Sequence, residues 1–132
     1  MTTAPQNASY VLESIHEGVA LLVLNRPEKL NALNNELATH LSSALERLAD
    51  SHSVRVIVIT GAGRAFCAGG DLAAIGKGRQ AGDAKQLEPL LRSGMAAVLK
   101  MRTMPQPVIA AVNGAAAGAG MNVALAADIR IA

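Results

Sequence analysis

Val54-Arg55-Val56-Ile57-Val58-Ile59-Thr60 is β-branched and almost continuously apolar, and it runs straight into Gly61-Ala62-Gly63. That pattern predicts a strand covered on both faces, in a sheet flanked by helices. Upstream, Tyr10 to Ile15 and Val19 to Leu24 are β-prone runs separated by His16-Glu17-Gly18, which predicts a hairpin. Asn25-Arg26-Pro27-Glu28-Lys29 then breaks the second strand. Leu37, Leu41, Ala44, Leu45 and Leu48 fall on one face of a helix from about Asn34 to Asp50, with Asn34 or Asn35 as its cap.

Downstream, a second helix from about Ala84 to Met101 carries Leu87, Leu90, Leu91, Met95, Val98 and Leu99, and Pro105 and Pro107 stop it. Val108 to Val112 is another buried-strand run, Gly118 to Ala127 a small-residue helix, and Asp128 to Ala132 the start of a further strand. A hairpin followed by alternating helix and strand predicts an α/β layer fold. Residues 1–8 are polar and expected to form a loose tail, leaving 9–132 as the domain. Because the last run stops at Ile131-Ala132 in mid-strand, that domain is expected to be the N-terminal portion of a longer one.

Apolar residues make up 51% of the 132 residues but aromatics only 2%, Tyr10 and Phe66, so Ala, Val, Ile and Leu must fill the core. Such a composition lacks the stacking surfaces that nucleic-acid binding uses, and a net charge of +2 is too small to attract a polyanion. The charge is concentrated between Arg64 and Arg102, where seven basic residues stand against three acidic ones. A solvated helix face is the plainer explanation of that stretch and phosphate steering the other. Cys67 is the single cysteine, so no intrachain disulfide is possible, and with no signal-peptide pattern a cytoplasmic protein is expected. Val108 to Ala127 is uncharged and long enough to span a bilayer, but it is interrupted by Asn113, Asn122 and glycines, so no membrane span is expected.

Strand, glycine-rich turn and helix recur twice: VIVIT before GAGRAFCAGGDL, and PVIAAV before NGAAAGAGMNVALAAD. Each turn follows the carboxyl end of a strand, where open α/β sheets place ligands. Small residues let a ligand approach the backbone, and the first N–H groups of the next helix lack partners and sit at the positive end of its dipole. Two such N–H groups converging on one point would stabilise charge developing on a carbonyl oxygen. On spacing alone, close packing of helix on strand explains the small residues as well or better.

NRPEKLNAL (Asn25 to Leu33), VIVITGAGRAFCAGGDL (Val56 to Leu72) and PVIAAVNGAAAGAGMNVALAADIRIA (Pro107 to Ala132) resemble three successive blocks of the enoyl-CoA hydratase/isomerase, or crotonase, superfamily. The resemblance implies a fold of repeated β-β-α units and an acyl-CoA thioester whose enolate is stabilised in an oxyanion hole. It gives the two donors as the backbone N–H groups of Gly70 and Ala119, the second position being usually glycine in the family. It sets coenzyme A against Lys29, Leu30 and the backbone at Ala68, with Asp71 and Leu72 lining the acyl site. On its own residue type, Asp71 reads chiefly as a helix cap. No cofactor is expected beyond the coenzyme A carried by the substrate, and the family implies a homotrimer or hexamer.

Hydratases of the family use two carboxylates, and the first corresponds to Asn122. An amide cannot exchange a proton near neutrality, so Asn122 can orient water or substrate but cannot act as a base. The turn GAAAGAGMNVAL is similar to that of family members that isomerise, including isomerases of epoxyphenylacetyl-CoA, so isomerisation is expected over hydration. The rival from another class is a non-catalytic acyl-CoA-binding or assembly module, which would keep both turns and lack the carboxylates.

Other chemistries fit poorly. Phe66 occupies the third-glycine position of a dinucleotide fingerprint, neither turn ends in the Lys-Ser/Thr of a P-loop, and Gly-x-Ser-x-Gly is absent. Cys67 has no histidine near it in sequence and reads as a packed core thiol, and the three scattered histidines lack ligand spacing.

Overall fold

The hairpin forms, with β1 (Val11–His16) and β2 (Val19–Leu24) paired antiparallel across the turn Glu17-Gly18. The structure, a computed structural model, describes residues 9–73, 75, 76, 82 and 84–132; the expected tail at 1–8 and two of the basic residues, Lys77 and Arg79, lie outside the described residues. Asn34 caps α1 (Asn35–Ala49), its Oδ1 accepting the Leu37 N–H at 2.8 Å. The chain continues through β3 (Val56–Gly61), α2 (Glu88–Thr103, entered by a 3-10 turn at Ala84–Leu87), β4 (Val108–Ala111), α3 (Ala119–Ala126) and β5 (Ile129–Ile131). The sheet has the order β1-β2-β3-β4-β5, and every pair after the hairpin is parallel, as helical crossovers require.

Ala20, Leu22 and Leu24 of β2, Ile57 and Ile59 of β3, and Val108 and Ala110 of β4 are buried in one core with Leu37, Leu41, Leu45 and Leu48 of α1. Each large aliphatic side chain withdrawn from water in this way stabilises the fold by about 1.5–3 kcal/mol relative to its exposure. The expectation that β3 is covered on both faces is corrected: Ile57 and Ile59 are fully buried, whereas Val56, Val58 and Thr60 on the opposite face are half-buried. A β-branched strand reads as continuously apolar whichever face is sealed.

The apolar residues expected on α2 are divided between a buried and an exposed face. Leu90, Ala97 and Met101 are buried, while Leu91, Met95 and Leu99 are exposed. Two apolar stripes run along this helix, and the one containing Ala97 faces inward, where a small side chain lets α1 and α2 approach closely. On its outer surface Arg92 pairs with Glu88 one turn away, a solvated contact of the kind expected for the basic stretch.

A second, much shorter ladder lies beyond the strand ends. Leu33 bridges Gly70 in parallel, and Cys67 bridges Ala116 in parallel. Each unit thus repeats as sheet strand, bridging segment and helix, which is the β-β-α pattern expected from the resemblance. Among the described residues no helix is long and apolar enough to cross a membrane; Val108 to Ala127 is divided between β4 and α3.

Candidate active site

Asparagine side chains hold the first turn. Asn31, fully buried and with φ at 57°, donates through Nδ2 to the carbonyls of Ala62 (3.0 Å) and Ala65 (2.9 Å) and accepts the Arg26 N–H at Oδ1 (2.8 Å). Asn113 reaches the same turn from the end of β4, accepting the Gly61 N–H at 3.1 Å and donating to the Gly61 carbonyl at 2.9 Å. Sequence reasoning missed both roles. Asn31 belongs to the quoted NRPEKLNAL block, but nothing local to it indicates partners more than thirty residues away.

The two turns are stitched to each other by backbone bonds. The Ala115 carbonyl accepts the N–H groups of Phe66 (3.0 Å) and Cys67 (3.1 Å), and the Cys67 carbonyl accepts the Ala117 N–H at 3.1 Å. Gly69 has φ of +113°, and a Cβ there would lie 3.0 Å from the Ala117 carbonyl oxygen and 3.9 Å from the Ala119 nitrogen, so conformation and contact both call for glycine. Gly118, with φ of 53°, caps α3 and makes Ala119 its first residue.

Among the described residues, the Gly70 and Ala119 N–H groups donate to no protein acceptor, although their neighbours Ala68, Asp71, Gly120 and Met121 all do. For Ala119 this follows from its place in the first turn of a helix. For Gly70 it follows from the bridge, in which Leu33 engages the Gly69 carbonyl and the Asp71 N–H and leaves Gly70 facing the other way.

Gly70, Ala119 and Asn122 line one cleft of about 800 Å³, whose walls are otherwise mainly apolar: Leu33, Ile75, Leu90, Met95 and Val123 among them. Pockets of this size and character suit a small, largely apolar ligand group. Arg102 is the charged residue on its wall, and no carboxylate lines it among the described residues. Asn122 is exposed, with its own N–H bonded to the Gly118 carbonyl.

The remaining candidates lie outside the cleft. Lys29 is exposed at the end of a 3-10 turn, and Leu30, in the left-handed region, accepts the Ala68 N–H on its carbonyl at 3.0 Å, so these two segments are adjacent. Asp71 caps the turn after it, with Oδ1 accepting the Ala73 N–H at 2.8 Å, and its Oδ2 lies 2.7 Å from Nη2 of Arg26. Leu72 is 83% exposed and is not among the residues lining the cleft. Cys67 is buried, and burial pushes its thiol above the ordinary range despite an opposing hydrogen bond from the Gly69 backbone. No group of three His, Cys, Asp or Glu side chains able to hold a metal occurs among the described residues.

A mostly parallel sheet whose successive glycine turns are joined across one apolar cleft is the architecture of a crotonase-type domain. Residues 14–132 match the sequence profile of the family described as Enoyl-CoA hydratase/isomerase, and the chain belongs to that family. It is 46% identical over 122 residues to a Mycobacterium tuberculosis protein named "Probable enoyl-CoA hydratase EchA14", covering 92% of this chain and 46% of the relative. It is 39% identical over 130 residues to the 1,2-epoxyphenylacetyl-CoA isomerase of Escherichia coli, covering 93% and 47%. The crystal structure of an enoyl-CoA hydratase from Bacillus halodurans superposes with a TM-score of 0.88 at 31% identity, over 92% of this chain and 49% of that one. The chain thus spans about half the length of the relatives it matches.

Proposed function

We propose that the protein carrying this chain binds an acyl-CoA thioester and stabilises its enolate between the N–H groups of Gly70 and Ala119. The observation that carries this reading is that two residues from different turns, whose amides have no protein acceptor among the described residues, line one apolar cleft. Removal of a proton beside a thioester moves negative charge onto its carbonyl oxygen. Fixed donors aimed at that oxygen stabilise the charge without reorganising. Coenzyme A would extend outward past Ala68 toward Leu30 and Lys29, whose ammonium suits a phosphate.

Isomerisation is favoured over hydration because Asn122 stands on the cleft where a hydratase needs an acid-base carboxylate. Relatives bear both kinds of name, so the choice rests on this side chain. With no carboxylate on the described walls, the chain by itself supports the second reading, binding without turnover; the acid-base group then comes from elsewhere in the longer protein. We extend to that protein the expectation of a cytoplasmic homotrimer or hexamer.

Ala119→Pro tests the donor directly. Proline is well tolerated at the first position of a helix and has no N–H. In the full-length protein, turnover of enoyl-CoA substrates should fall about 10²–10³-fold while the circular dichroism spectrum is retained. Unchanged turnover would overturn the reading. Acyl-CoA titrated against the chain alone, without turnover, would support the binding reading for this part of the protein.

A further inference from the structure

Arg26 joins both strands of the short ladder that orients Gly70. Its Nη1 donates to the Ala32 carbonyl at 2.9 Å, just before Leu33, and its Nη2 meets Asp71 Oδ2 at 2.7 Å, just after Gly70. Between those two points the ladder closes through Leu33 N–H to the Gly69 carbonyl (2.7 Å) and Asp71 N–H to the Leu33 carbonyl (2.9 Å). Both charged side chains are only 13% exposed. The arginine is itself held, since its backbone N–H donates to Asn31 Oδ1 and its carbonyl accepts the Asn31 N–H at 2.9 Å.

A guanidinium is a rigid planar fork, so two of its nitrogens fix the separation of the groups they bind. Here those groups flank the bridge on either strand, and a change in their spacing would rotate the Gly70 amide. We propose that Arg26 is a positioning residue that sets the direction of the Gly70 N–H through Ala32 and Asp71, an inference that rests on the donor role assigned above. The cap made by Asp71 is separable from this role, because Ala73 uses Oδ1 and Arg26 uses Oδ2.

The test uses the full-length protein and acetoacetyl-CoA, a thioester acidic enough for its bound enolate to be followed by ultraviolet absorbance against pH. Wild type should ionise the bound probe at a lower pH than the free probe. Arg26→Gln should move that pH back toward the free value and lower kcat about 10- to 100-fold, the scale of a misplaced catalytic group, with little change in KM. Asp71→Asn should do the same while keeping an oxygen for Ala73, and it carries the test if Arg26→Gln fails to fold. Arg26→Lys, which keeps the charge but lacks the planar fork, should recover part of the effect. Folded variants that ionise the probe at the wild-type pH would overturn the positioning role alone. A wild-type protein that leaves the probe's ionisation unshifted would overturn the donor reading and this proposal with it.

Discussion

The backbone of Gly120 is pressed against the carbonyl of Cys67 so closely that a Cβ at position 120 would lie 2.0 Å from that oxygen. Gly120→Ala would therefore force α3 away from the first turn. We expect a loss of about 1–3 kcal/mol, the usual cost of overpacking, read as a lower urea midpoint at unchanged slope. Gly94→Ala should act in the opposite sense. Among the described residues, no atom beyond its chain neighbours and its own helix backbone lies within 4 Å of a Cβ at this position inside α2, so alanine should add about 0.5–1 kcal/mol through helix propensity. An equal response of the midpoint to both substitutions would contradict the packing described.

Asn31→Ala should be among the most damaging single changes. It leaves the Ala62 carbonyl and the Arg26 N–H without their partner and the Ala65 carbonyl with only the longer bond from Asn113 Nδ2 (3.2 Å), and it retains a left-handed residue without asparagine's tolerance for that region. Each buried polar group so orphaned costs about 1–3 kcal/mol. A midpoint close to wild type would show that water replaces the amide.

Cys67 should give the stability an alkaline limb. Burial raises the thiol's folded pKa, so the unfolded chain ionises first as pH rises. The stability contributed is fully present below the ordinary thiol range and is lost as pH climbs through the raised folded value. Denaturation midpoints should therefore fall more steeply there for wild type than for Cys67→Ala. A thiol-reactive disulfide should label the native protein only as fast as the turn opens, and rapid labelling at neutral pH would contradict the burial.

Asn122→Ala should leave the fold unaffected to within about 0.5 kcal/mol, as surface substitutions commonly do, because its side chain is exposed on the cleft wall. In the full-length protein the shift of a double bond should survive this change. Crotonyl-CoA hydration that is the main activity of wild type and is abolished by Asn122→Ala would count against isomerisation.

Elements with a local signal were legible in the sequence. The nearly continuous β-branched run located β3, and leucine spacing located α1 down to its cap at Asn34. The apolar residues of α2 were legible, but which of them face the core was not, because packing against α1 selects the stripe containing Ala97. The cleft illustrates a further limit. Spacing alone gave two small-residue turns with no reason to prefer chemistry over packing, and the resemblance was needed to single out Gly70 and Ala119. Arg26, Asn31 and Asn113 were not legible, because their meaning lies in contacts with distant backbone that no local pattern encodes.

The bonds between Cys67 and the Ala115–Ala117 segment make the two turns a single caliper, its jaws tied to each other through main-chain atoms. Side chains on the cleft wall can then be exchanged without resetting the gap. Diversification of chemistry on such a frame should fall on wall positions such as Asn122, while the caliper passes unaltered from one reaction to the next.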